Sequence, residues 1–82
     1  MTKFDVEMPP ISWHATRRMR EMGVSQAEVL KVLQNPDVDY PCVDDPSRRI
    51  RQGGRLAICY AEGSGTIITV LWRRVEDWER TR

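Results

Sequence analysis

Histidine is nearly missing from this chain and cysteine is scarce, with one His and two Cys in 82 residues. Cys42 and Cys59 lack metal-type spacing, so no zinc or iron–sulfur ligand set can be assembled and no cofactor is expected. No apolar run approaches the roughly 18 residues that read as a membrane span, and no signal peptide is visible. A reduced, cytoplasmic protein without membrane contact is the plain expectation, with a single Cys42–Cys59 disulfide as the alternative. Net charge is nearly absent too: 13 basic and 12 acidic residues leave +1. A dedicated nucleic-acid binder is usually more basic. A glycine-rich phosphate loop is also lacking. Gly53-Gly54 has the character of a hairpin turn, and Gly63-Ser64-Gly65 lacks a strand-to-helix context. Repeats and low-complexity segments are absent.

What is present is arginine, unevenly placed. Eleven of the thirteen bases are Arg, which favours planar, bidentate contacts to phosphate or carboxylate. Arg17, Arg18 and Arg20 cluster early, and Arg48, Arg49, Arg51 and Arg55 form a run without acids. Either cluster reads as a phosphate-binding surface or as a solvated polar face.

The chain is short enough for one domain, residues 1–82. Residues 1–11 read as an irregular lead-in, because Pro9-Pro10 stops a helix. Ser12 is a candidate N-cap for a helix to about Met22, with Ala15, Met19 and Met22 on one face and Gly23 suited to the left-handed end. Ser25-Gln26-Ala27-Glu28 is a capping box, with Val24 and Val29 as its hydrophobic staple. The second helix turns Val29, Leu30 and Leu33 inward and stops at Asn35-Pro36. Residues 12–35 are thus a helical hairpin.

From residue 37 the apolar period changes to two. Strands are expected around Val38–Cys42, with Pro41 marking an edge, and over Arg48–Gln52, Arg55–Ala61 and Thr66–Trp72. Residues 37–72 then form a four-stranded antiparallel sheet. The fold class is α+β, in the order ααββββ. Residues 73–82 are a tail, with a short helix over 74–81 carrying Val75 and Trp78 on one face. Trp13, Trp72 and Trp78 are candidates for packing or for a partner surface.

Two helices cover one face of such a sheet. If Ile50 faces the helices, Arg49 and Arg51 face away. With Leu56, Ile58 and Tyr60 inward, Ala57, Cys59 and Ala61 lie on the open face. With Ile68, Val70 and Trp72 inward, Ile67, Thr69 and Leu71 lie there too. That face becomes a groove of small residues lined by arginine, which suits a phosphate backbone. Because the last strand is apolar on both faces, the reverse register is the alternative, and a plain water-facing strand is the bland reading.

Taken together, Ser12-x-His14-Ala15-x-x-Arg18-Met19, Gly23-Val24-Ser25 and Val32-Leu33-x-Asn35-Pro36 resemble the small bacterial and phage domain-of-unknown-function family 4258. That family is similar to BrnT-type and RelE/ParE-type toxins of the barnase–EndoU–colicin–RelE nuclease fold. The ααββββ order and the closing Ile68-Thr69-Val70 strand match it, over roughly residues 11–72. The resemblance implies catalytic roles for His14, Arg18, an Arg of the second strand (Arg49 first, Arg48 or Arg51 as alternatives) and Thr69. Arg17, Arg48, Arg51 and Arg55 are the further candidates for nucleic-acid contact. The chain departs from the family pattern at Met22, where an Arg often precedes the helix-ending glycine.

Metal-independent RNA cleavage needs a base for the 2′-OH, a cation on the phosphorane and support for the leaving 5′-oxygen. His14 has the side chain to be that base near neutral pH. Arg18 and Arg49 could hold the phosphate bidentately, and Thr69 could bond an oxygen. The acid would be Tyr40, Tyr60, an Arg or water. The expected function is therefore a small toxin-type ribonuclease of mRNA-interferase kind, with RNA as substrate and a protein partner or antitoxin. The alternative is a catalytically silent bacterial or phage member of the same fold that binds a host protein or nucleic acid. In that case His14 is a partly exposed residue bonding locally near a helix cap. The oligomeric state stays open.

Overall fold

A computed structural model describes residues 9–73. The proposed helix over 74–81, with Trp78, lies outside the described residues. Two helices, α1 (Trp13–Met22) and α2 (Gln26–Gln34), precede four strands: β1 (Val38–Pro41), β2 (Arg48–Gly53), β3 (Leu56–Ala61) and β4 (Ile67–Trp72). The strands pair antiparallel in the order β1-β2-β3-β4. The fold is α+β, ααββββ.

Each helix begins on a serine. Ser12 Oγ accepts from Ala15 N at 3.0 Å, and Ser25 Oγ accepts from Glu28 N at 3.1 Å. The second half of the capping box is replaced: the Glu28 carboxylate takes Nε and Nη2 of Arg55 at 2.7 and 2.9 Å instead. Gly23 closes α1 at φ 70°, where an L side chain would be strained. The inward face of α2 is Val29, Val32 and Leu33, with Leu30 only partly buried. Val32 takes the place that the periodicity assigned to Leu30.

The core joins Ala15, Met19 and Val24 to the α2 face, to Leu56, Ile58 and Tyr60 of β3, and to Ile67 and Val70 of β4. In β4 Val70 is inward as expected and Trp72, opposite Leu56, shares its face but is exposed at the strand end, while Ile67 replaces Ile68 in the core. A bulge at Cys59/Tyr60 is the cause: Tyr60 pairs with Ile67 and Cys59 with Thr69, so Ile68 is the extra residue.

The lead-in is partly ordered into the sheet. Ile11 makes a parallel bridge to Ile67, Ile67 N donates to Pro10 O, and Ser12 N donates to Ile67 O, both at 2.9 Å. Ser12 Oγ also donates to Ile68 O at 2.9 Å. The start of α1 is thereby tied to the edge of β4, against which α1 packs, while α2 covers β2 and β3.

The faces of β2 are the reverse of the expectation. Residues directly opposite in an antiparallel pair share a face. Arg49 pairs with Tyr60 and Arg51 with Ile58, which places both arginines on the helix side. Ile50 pairs with Cys59 on one side and with Tyr40 on the other, on the open face. The two guanidinium groups are tolerated beside the core because Asp39, opposite Arg51, meets them there. Their stems cover apolar surface while the heads stay paired.

Candidate functional site

The arginines of β2 are held by carboxylates. Asp39 Oδ1 accepts from Arg49 Nε at 2.6 Å, and Oδ2 accepts from Arg51 Nε at 2.6 Å and from Tyr60 Oη at 2.9 Å. Arg51 Nη1 also donates to the Leu33 carbonyl in the last turn of α2, and its guanidinium lies over the Tyr60 ring. Burial pushes the Asp39 carboxyl up, but the hydrogen bonds from Arg51, Arg49 and Tyr60 outweigh it and leave the group below its usual value. Burial and the bond to Asp39 hold the Tyr60 phenol above its usual value. Arg48 pairs with Asp45 at 3.3 Å and Arg55 with Glu28 at 2.7 Å. All four arginines of the 48–55 run therefore have an acidic partner. The run is not a continuous field of unopposed charge, which accords with the near-neutral sequence.

The open face carries a different arrangement. A hollow of about 320 Å³ lies on it. Its floor is Ala57 and Cys59, both buried, and its walls are Tyr40 and Ile50. Leu71, opposite Ala57, forms one rim; Trp72, opposite the core residue Leu56, borders the hollow only at the exposed end of β4 and faces the helix side. Arg18 of α1 lines the same hollow. The guanidinium of Arg55, paired with Glu28 of α2, sits over the Trp72 ring, 5.1 Å from its centre, on the helix side of this edge. Gln52 completes the lining, and its Nε2 donates to Tyr40 Oη at 2.6 Å. The Cys59 thiol is pushed up by burial, which makes it a poor nucleophile. Cys42 and Cys59 are both free.

Arg18 reaches the hollow because α1 is anchored to β4 at Ser12. Its ion pair with Glu21, at 3.5 Å, is half-exposed and so worth little. His14 is exposed one helical turn before Arg18, on the same side of α1. Thr69 is on the open face opposite Cys59, beside the Ser12–Ile68 bond that fixes α1. His14, Arg18 and Thr69 therefore fall on the α1–β4 side of the molecule. Arg49 and Arg51 do not join them, being across the sheet with Asp39. Arg17 lies on the outer side of α1, its guanidinium 5.6 Å from the centre of the exposed Trp13 ring. Gln52 was not expected at the site, and Tyr40 was expected there only as a candidate acid. The alternation of β1 and β2 around Tyr40 and Ile50 would have found them, once set on the open face.

Among the described residues, no group of three His, Cys, Asp or Glu is placed to hold a metal ion. No described helix is long and apolar enough to cross a membrane.

A family model described as Domain of unknown function (DUF4258) matches residues 11–72. The chain belongs to that family. The DUF4258 match begins at Ile11, the residue that bridges to β4, and ends at Trp72, the last residue of β4. It thus spans every described helix and strand, including both sides of the hollow. Comparisons with curated proteins and with solved structures give no match.

Proposed function

We propose that this DUF4258 chain binds single-stranded RNA over the open face of its sheet and cleaves it without a metal, as a small toxin-type ribonuclease. The observation that carries the reading is the hollow with Arg18 on its rim and His14 one helical turn away. In this scheme Arg18 takes the scissile phosphate. His14 removes the 2′-OH proton, and O2′ attacks phosphorus. The bond to the 5′-oxygen breaks, that oxygen takes a proton from Tyr40 or water, and a 2′,3′-cyclic phosphate remains. Tyr60 has no part in it, because its hydroxyl already donates to Asp39 on the other side of the sheet. Arg49 and Arg51 support the fold rather than the phosphate. The likeness to BrnT- and RelE/ParE-type toxins belongs to the same reading, as does an antitoxin-like protein partner.

A second reading is favoured by one observation. Trp13 is 76% exposed, with Arg17 over its ring and Arg20 beside it in a shallow outer pocket of α1. An exposed Trp flanked by Arg is a frequent interface anchor. In that reading the chain is a silent member of the fold that binds a protein through α1.

Expression of the intact chain and of His14→Ala in a bacterial host separates the two. Cleavage predicts RNA breakdown and slowed growth with the intact chain and neither with His14→Ala. Equal growth arrest by both, with intact RNA, supports the second reading and overturns the first.

A further inference from the structure

Gln52 is a buried polar side chain, at 2% exposure. Its Nε2 is used by Tyr40, but its Oε1 has no hydrogen-bond partner. Buried carbonyl oxygens without a partner are uncommon in folded proteins, and each one calls for an explanation. This one belongs to a residue that lines the hollow, but the oxygen itself is closed to solvent, so a ligand meets it only once the carboxamide turns towards the hollow. The surroundings are apolar: the Ala57 floor, the Ile50 wall and the Leu71 rim. At about 320 Å³ the hollow is at the small end of ligand pockets, sized for one ring system rather than an extended chain. Its cation, Arg18, is on the α1 side.

We infer that the hollow is a nucleobase pocket, and that Gln52 selects a base with an exocyclic amine, adenine or cytosine, by turning its amide oxygen into the hollow and accepting a hydrogen bond from it. The inference rests on the RNA reading above and names the nucleotide which that site prefers. A carboxamide is a natural partner of an adenine edge, and an oxygen acceptor is the natural partner of the cytosine amine. The oxo counterparts, hypoxanthine and uracil, turn a carbonyl towards the Gln52 oxygen, so two acceptors face each other. The ring packs on Ala57 and Ile50, and the phosphate reaches Arg18. Gln52 acts as a specificity-determining residue and takes no part in proton transfer.

Titration of the full chain with AMP, IMP, CMP, UMP and ribose 5-phosphate tests this. AMP is expected to bind about tenfold more tightly than IMP, and CMP than UMP, within the range for one specific base contact. Gln52→Leu should bring both ratios close to one and leave ribose 5-phosphate binding unchanged. Arg18→Ala should weaken all five. The side-chain amide signal of Gln52, followed by nuclear magnetic resonance in the unmodified chain, should move with AMP and not with ribose 5-phosphate. That signal serves even if Gln52→Leu fails to fold. Equal binding of AMP and IMP, or a Gln52 signal indifferent to AMP, overturns the base pocket. If RNA is still bound through Arg18 in that case, the RNA reading stands without it. If neither RNA nor any nucleotide binds, both fall.

Discussion

Arg51 Nε donates to Asp39 Oδ2 at 2.6 Å on the helix side of the sheet, beneath the end of α2. Asp39 also serves Arg49 and Tyr60, so one carboxylate ties β1 to β2 and β3. Asp39→Asn should therefore destabilise the fold, by about 1–3 kcal/mol given the partial exposure of the pair. The check is the midpoint of chemical denaturation. RNA affinity per folded molecule should be unchanged, because the cluster lies across the sheet from the hollow.

The same carboxylate gives the fold an acid limb. Its folded pKa is lowered, so the folded state holds its proton less tightly than the unfolded chain does. The stabilisation is present above the unfolded value of about 3.9 and is lost as pH falls through the folded value. Glu28 and Asp45 are lowered too, by hydrogen bonds from Arg55 and Ser47 respectively. Denaturation midpoints of the wild type should fall below about pH 4. In Asp39→Asn the fall should be shallower, leaving the part due to Glu28 and Asp45. An unchanged acid limb would mean that Asp39 does not hold the two arginines.

Ser12 has two tasks, capping α1 and binding β4 at Ile68 O. Ser12→Ala loses both and should cost roughly 0.5–2 kcal/mol, as N-cap losses do. Because the lost tether also sets where His14 and Arg18 stand, RNA binding should weaken even under conditions where the variant is fully folded. A variant that loses stability and keeps wild-type affinity would leave Ser12 as a cap alone.

Gln52 should show a trade-off between stability and binding. Gln52→Leu removes an orphaned buried acceptor, and Tyr40, whose hydroxyl it releases, is only half-buried as a residue. The denaturation midpoint should stay level or rise, by up to about 1 kcal/mol, while base selectivity is lost. A marked loss of stability would instead make Gln52 a structural bridge to Tyr40.

Both helices, their serine caps and the four strands are legible in the sequence, because caps, glycine stops and the change of apolar period are local signals. The strand faces were harder. Reading Ile50 as core follows from its being the one apolar residue of Arg48–Gln52. Turn parity says otherwise. A two-residue turn at Gly53-Gly54, or at Gly54-Arg55 where it occurs, pairs Ile50 with an odd-numbered residue of β3. That sets Ile50 with Ala57 and Cys59, and Arg51 with Leu56 and Ile58. The parity was present in the sequence and outweighs a single apolar residue. What was not legible is long-range: the bulge that advances Ile67 into the core, and the meeting of Asp39 with Arg49, Arg51 and Tyr60. No local pattern tells which carboxylate each arginine of the run will find. For the site, His14 and Arg18 follow from the helix period. Gln52 follows only from the register.

In the proposed function Arg18, and not the β2 arginines, is the cation that meets RNA. The direct measurement is the salt dependence of binding to one short single-stranded RNA, for the wild type, Arg18→Ala and Arg49→Ala. Each phosphate contact on a single strand contributes about 0.7 to the slope of log affinity against log salt. Arg18→Ala should lower the slope by about that amount, and Arg49→Ala, once corrected for folded fraction, should leave it unchanged. A slope lowered by Arg49→Ala and untouched by Arg18→Ala would contradict the account and move the RNA to the helix side of the sheet.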